Sequence, residues 1–238
     1  MRWPSGRQAR LNLHGEKIAM RPSDLSAAPG SFHAAPKHFS MIRQLHLADF
    51  FTLANAACGM ASVFLAMFYM RNEMADYIYA AAAMAIAALI FDVLDGRIAR
   101  WRHQHSALGR ELDSLSDVIS FGVGPAALAV AVGMQGGWDL IALAYFVCCG
   151  VSRLARYNVT AESLSGGGDK VKYFEGTPIP TSVLLSVVLA VCAWLGRINQ
   201  DIPAGVLTFG PWDFHPLVLL FVLSGTLMIS KTLRIPKF

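Results

Sequence analysis

Residues 77–117 read YIYAAAAMAIAALIFDVLDGRIARWRHQHSALGRELDSLSD, an alanine-rich apolar run that closes on two aspartates, a basic hairpin, and a second stretch that opens on two more. A helix needs about 20 residues to cross roughly 30 Å of hydrocarbon. Tyr77 to Gly96 supply that length, and their alanines suit close approach of helix backbones where no hydrophobic effect drives association. Outward from this run lie five more, Ala48 to Met70, Leu112 to Gly133, Trp138 to Ala155, Pro180 to Ile198 and His215 to Ile229. The expected fold is therefore an all-α integral membrane protein with six transmembrane helices. Composition agrees. Of 238 residues 55% are hydrophobic and only 15% charged, with a mean hydropathy of +0.45, whereas a soluble domain carries roughly 25% charged residues. A disordered chain, a collagen-like repeat and a small disulfide scaffold are excluded on the same numbers. Cys58, Cys148, Cys149 and Cys192 all fall in apolar runs without zinc or redox spacing, so free thiols are expected.

Lysine and arginine are retained on the cytoplasmic side of a membrane. With six spans, the even-numbered loops and the two termini hold 18 of the 20 basic residues; only Arg71 and Arg197 fall on the other face. Both termini are thus expected in the cytoplasm, with the chain a multi-pass protein of the cell (inner) membrane. The net charge of +4 reflects this sorting and not nucleic-acid binding, and a basic face suits anionic headgroups at about 1 kcal/mol per nearby Lys or Arg. Residues 1–40 differ in composition, rich in Arg, Ser, Pro, Ala and Gly and without the apolar core of a secretory signal. They read as a disordered extension ahead of a membrane domain over 41–238, whose basic lead-in starts near Met41.

Ionisable groups at the edge of a span are costly, about 2.5–3.5 kcal/mol each at full depth and less near the interface, so they are functional candidates by default. On a continuing helix Asp92, Asp95, Gly96 and Ala99 share one face, and Gly109, Asp113 and Asp117 share another. Four carboxylates brought together repel unless cations neutralise them. An all-oxygen ligand set favours a hard ion such as Mg²⁺, Mn²⁺ or Ca²⁺. Small residues one turn from such carboxylates leave room for a bulky phosphorylated ligand, and Arg97, Arg100, Arg102 and Arg110 bring guanidinium groups suited to phosphate oxygens. The plain alternative is salt bridging within a charged hairpin, since Glu111 adds a fifth acid among four arginines. Against it stands the pattern DxxDGxxARx8GxxxDxxxD, whose eight fixed positions recur by chance on the order of 10⁻⁸ at background frequencies.

That pattern is the signature of the CDP-alcohol phosphotransferases, membrane enzymes that move a substituted phosphoryl group from a CDP-linked donor to an alcohol. The sequence resembles them at every position, Asp92, Asp95, Gly96, Ala99, Arg100, Gly109, Asp113 and Asp117, and over roughly residues 41–238. Met41 is accordingly a second candidate start. The resemblance implies that Asp92, Asp95 and Asp113 hold a pair of divalent metals, Mg²⁺ or Mn²⁺. It makes Asp117 the general base and a further metal contact, and gives Gly96, Ala99, Arg100 and Gly109 to the nucleotide pocket. It also implies a homodimer.

Shorter motifs narrow the acceptor. Ser152-Arg-Leu-Ala-Arg-Tyr-Asn158, Phe174-Glu-Gly-Thr-Pro-Ile-Pro180, and Thr52-Leu-Ala-Asn55 with Gly59 resemble the serine-using branch of the family. The reaction implied is transfer of the phosphatidyl group from CDP-diacylglycerol to L-serine, giving phosphatidylserine and CMP at the cytoplasmic surface. Glycerol 3-phosphate, an inositol phosphate or choline are the alternative acceptors. Arg153 and Arg156, three apart at the end of the fourth span, are candidates for the donor phosphate or the serine carboxylate; snorkelling to lipid headgroups is the other reading. His103 and His105 read as solvated, and the tract Gly166–Gly168 as either a lid or a plain connection. A cation transporter would place its carboxylates near the bilayer midplane and break its helices there, whereas these aspartates cluster at span ends.

Overall fold

The computed structural model describes residues 47–101, 107–165, 173–230 and 234–236. Residues 1–40, the Met41 lead-in, Arg102, His103, His105 and Gly166–Gly168 lie outside the described residues, as does the Ala99 side chain.

Helix α1 (Leu47–Asn72) is apolar almost throughout, and its inward stripe is not. From Thr52 onward the residues it buries are Thr52, Asn55, Gly59, Ser62, Ala66 and Tyr69, alternately three and four apart. Phe50, Leu53, Phe64 and Met67 stand exposed on the other side. This inversion, small and polar within and large and apolar without, is what lipid solvent favours. Helix α2 (Asp76–Trp101) packs along α1 and answers with Ile78, Ala81, Ala85 and Ala88 at the same spacing, ending the stripe on buried Asp95. The alanines let the two backbones close up, and α2 runs on past Gly96, so both of its aspartates share one helix.

Helix α3 (Ala107–Asp117) continues without a break through a π-helical turn over Val118–Val123 into α4 (Gly124–Ala131). The wide turn follows Asp117 directly. Its Ser120 lies against Gly59 of α1 so closely that a Cβ there would stand 2.6 Å from Ser120 Cα. Helix α5 (Gly137–Ser165) has 29 residues, about 43 Å at 1.5 Å per residue. It therefore overruns the expected span by a decade of residues, with Arg156 and Asn158 on the added length.

Among the described residues, four helices are long and apolar enough to cross a membrane, within Ala48–Asn72, Asp76–Ile98, Leu108–Ala131 and Gly137–Thr160. The remaining two expected spans are shorter. Helix α6 (Val183–Trp194), with the 3₁₀ turn before it, covers only Ile179–Trp194, and α7 (Leu219–Ile229) with its own lead-in covers Pro216–Ile229. The early stop of α6 has a local cause. Gly196 takes φ +69°, its N–H donates to Ala193 O and that of Arg197 to Cys192 O, so a left-handed glycine closes the helix before Ile198.

Short strands occur where loops are expected. Strand β1 (Tyr173–Glu175) pairs antiparallel with β4 (Arg234–Pro236), and β2 (Leu207–Phe209) with β3 (Trp212–Phe214) across a turn at Gly210. At the end of the bundle away from the aspartates, fully buried Asp139 accepts hydrogen bonds from the N–H groups of His215 (2.8 Å) and Gly136 (3.0 Å) and lies 2.5 Å from His215 Nδ1. It thereby ties the start of α5 to the approach to α7.

Candidate active site and metal centre

The four aspartates come from α2 and α3. Asp92 and Asp113 are half-buried, while Asp95 and Asp117 are buried at 5% and 6% exposure. One carboxylate oxygen from each of Asp92, Asp95 and Asp113 lies within 4.8 Å of the others. The carboxyl group of Asp117 is within hydrogen-bonding reach of that of Asp92. Among the described residues no Lys or Arg stands within ion-pair distance of any of the four. Arg97 and Arg100 do not neutralise them: both are exposed, and Arg100 Nε donates instead to Gly96 O at 2.9 Å. Among the described residues, salt bridging thus does not account for the cluster. A set of carboxylate oxygens with no described Lys or Arg in ion-pair contact fits one or more hard divalent cations.

Space lies beside the acids. A Cβ built on Gly96 meets nothing within 4 Å, so the glycine one residue beyond Asp95 borders an open volume. Gly109 and Arg110 sit half-buried at the start of α3, the guanidinium Nε of Arg110 buried without a hydrogen-bond partner. The two arginines of α5 part company. Arg153 is half-buried, close enough to Asp117 to feel its charge, and its Nε also lacks a partner; Arg156 is exposed. Asn158, one turn beyond Leu154, donates to Ser114 Oγ at 2.9 Å and reaches Glu111 at 3.4 Å, joining α5 to α3.

Helix α1 contributes residues to which the sequence analysis assigned no role. Thr52 Oγ1 lies 2.8 Å from Asp95 Oδ2, and Asn55 Nδ2 donates to Asp117 Oδ1 at 3.3 Å. In return Ser116 Oγ donates to Thr52 O at 2.7 Å and Ser120 Oγ to Asn55 O at 2.8 Å. The signal was present as a hydrophilic stripe at three- and four-residue spacing within an apolar helix.

Comparison with known proteins agrees with this geometry. The family profile described as CDP-alcohol phosphatidyltransferase matches residues 45–226. A CDP-diacylglycerol–serine O-phosphatidyltransferase of Saccharomyces cerevisiae is 43% identical over 209 residues, covering 87% of this chain and 76% of that protein. One of the same name from Methanocaldococcus jannaschii is 34% identical over 200 residues, covering 84% and 78%. An archaetidylserine synthase of Methanothermobacter thermautotrophicus is 37% identical over 141 residues, 58% of this chain and 54% of its own.

Proposed function

The chain belongs to the CDP-alcohol phosphatidyltransferase family, and on that premise we propose that it transfers the phosphatidyl group of CDP-diacylglycerol to the hydroxyl of L-serine, with Asp117 as general base. The observation that carries the reading is the convergence of four carboxylates, none in ion-pair contact with a described Lys or Arg, beside the open volume at Gly96. The relatives named above support serine as the acceptor.

Asp92, Asp95 and Asp113 would hold Mg²⁺ or Mn²⁺, two per site, with Asp117 alongside; when bound, the metal offsets the charge of the pyrophosphate and of the departing CMP. Gly96, Ala99, Arg100 and Gly109 border the nucleotide. Asp117 takes the proton of the serine hydroxyl as its oxygen bonds to the phosphorus that carries diacylglycerol, and the bond from that phosphorus to the CMP oxygen breaks. Asn55 engages one oxygen of Asp117, leaving the second free of α1 to receive that proton. Arg153, half-buried within range of the Asp117 charge and with an unpartnered Nε, offers a guanidinium to the serine carboxylate or the donor phosphate. Exposed Arg156 stands farther out, where headgroups reach it.

The site faces the cytoplasm of the inner membrane in this reading, with six crossings and both termini inside, supported by the 18 basic residues on that face. Ile179–Trp194 and Pro216–Ile229 are the fifth and sixth crossings, short ones. The family implies a homodimer, which cross-linking in native membranes tests. Purified protein given CDP-diacylglycerol, Mn²⁺ and each candidate alcohol should release CMP with serine; release indifferent to serine refutes the acceptor. Asp117→Asn should nearly abolish turnover while the protein stays folded, and normal turnover refutes the base.

A further inference from the structure

We propose that Thr52 and Asn55 of α1 are positioning residues for this reaction, each holding one carboxylate of the site in its working orientation. The inference rests on the reading of Asp95 as a metal ligand and Asp117 as the base. A carboxylate on a short side chain rotates, and its two oxygens are interchangeable until something distinguishes them. Thr52 meets Asp95 from one helix, and Asn55, three residues on, meets Asp117 from another. The two donors thus commit one oxygen of each carboxylate to α1 and leave the other for the metal or the acceptor hydroxyl.

The arrangement is reciprocal. Ser116 and Ser120, one turn apart on the Asp117 side, donate to the carbonyl oxygens of the same two α1 residues. Sliding α3 along α1 would break these two bonds together with that of Asn55 to Asp117. Burial strengthens the argument: Thr52 is 4% exposed and Asn55 fully buried, so water cannot stand in for either donor. Ordered carboxylates matter because outer hydrogen bonds orient metal ligands and tune their affinity.

A purely local role exists for Thr52, whose hydroxyl also lies 3.2 Å from Ala48 O and has one proton to give. The two roles separate by experiment. In detergent-purified protein without substrate, Mn²⁺ binding is read from the paramagnetic resonance of the free ion, and kcat and KM from CMP release. Thr52→Val should weaken Mn²⁺ binding by about tenfold or more, with Thr52→Ser close to the parent. Asn55→Leu should lower kcat by about tenfold or more while Mn²⁺ binding and the KM for CDP-diacylglycerol stay near the parent's. Ser62→Ala, on the same buried stripe but with a hydroxyl that has no partner, should leave both readouts unchanged. Thr52→Ala and Asn55→Ala serve if the apolar replacements aggregate on size exclusion.

The proposal is overturned if Thr52→Val binds Mn²⁺ as the parent does while Asp95→Asn loses it, or if Asn55→Leu keeps the parent's kcat. Undiminished Mn²⁺ binding by Asp95→Asn would instead overturn the metal-site reading beneath it.

Discussion

Gly59→Ala tests how tightly α1 sets the site. The added Cβ would stand 2.6 Å from Ser120 Cα and 2.9 Å from Ser120 Cβ, where carbon atoms prefer about 3.5–4.0 Å. Both near atoms belong to or adjoin backbone, so α1 and the π-helical turn must separate by roughly 1 Å. The Asn55–Asp117 bond, already 3.3 Å, then passes beyond hydrogen-bonding range. The two serine bonds to Thr52 O and Asn55 O stretch with it. Three such bonds at about 0.6 kcal/mol each inside a membrane come to about 2 kcal/mol, and overpacking adds about 1–3 kcal/mol. A loss of this size lowers the melting temperature by roughly 10 °C in a chain of this length. Turnover should fall by about a hundredfold, the cost of a misplacement near 1 Å. Thermal unfolding followed by size exclusion and CMP release measure the two effects. A Gly59→Ala protein with the parent's melting temperature and kcat would refute the close approach and the dependence of the site upon it.

Gly96→Ala should do the opposite: its Cβ meets nothing, so stability should hold or rise by about 0.5–1 kcal/mol from the gain in helix propensity, while the KM for CDP-diacylglycerol climbs as the methyl enters the nucleotide space. Asp139→Ala removes the acceptor shared by His215 and Gly136 at the far end of the bundle and should cost about 3 kcal/mol or more in thermal unfolding, with Mn²⁺ binding by the folded fraction unchanged. Gly196→Ala, at φ +69° with open space around it, should cost about 1 kcal/mol from backbone strain alone, measured by the same melt, with kcat unaffected.

The acid pattern was legible because spacing alone puts Asp92 with Asp95 and Asp113 with Asp117 on helical faces, and the helices proved continuous through those positions. What spacing cannot say is which helix stands opposite. The partners that hold Asp95 and Asp117, Thr52 and Asn55, lie 43 and 62 residues away in sequence. Arg153 and Arg156 look equivalent at a three-residue interval, yet one is half-buried within range of the Asp117 charge and the other is exposed, a difference that only the docking of α5 on α3 decides. The π-helical turn after Asp117 was invisible for another reason: it adds a residue to one turn without changing the apolar pattern around it. The fifth apolar run was read too long because hydropathy counts Ile198, which lies past the helix-closing Gly196.

The hydrogen bonds from α1 to α3 also bear on how the protein is made. Thr52 O, Asn55 Nδ2 and Asn55 O find partners 62 to 65 residues later in the chain, several seconds of translation at about 5–20 residues per second. During that interval the nascent hairpin of α1 and α2 carries the Asn55 carboxamide without its Asp117 partner. Arrival of α3 is therefore the step at which the insertion product becomes self-sufficient.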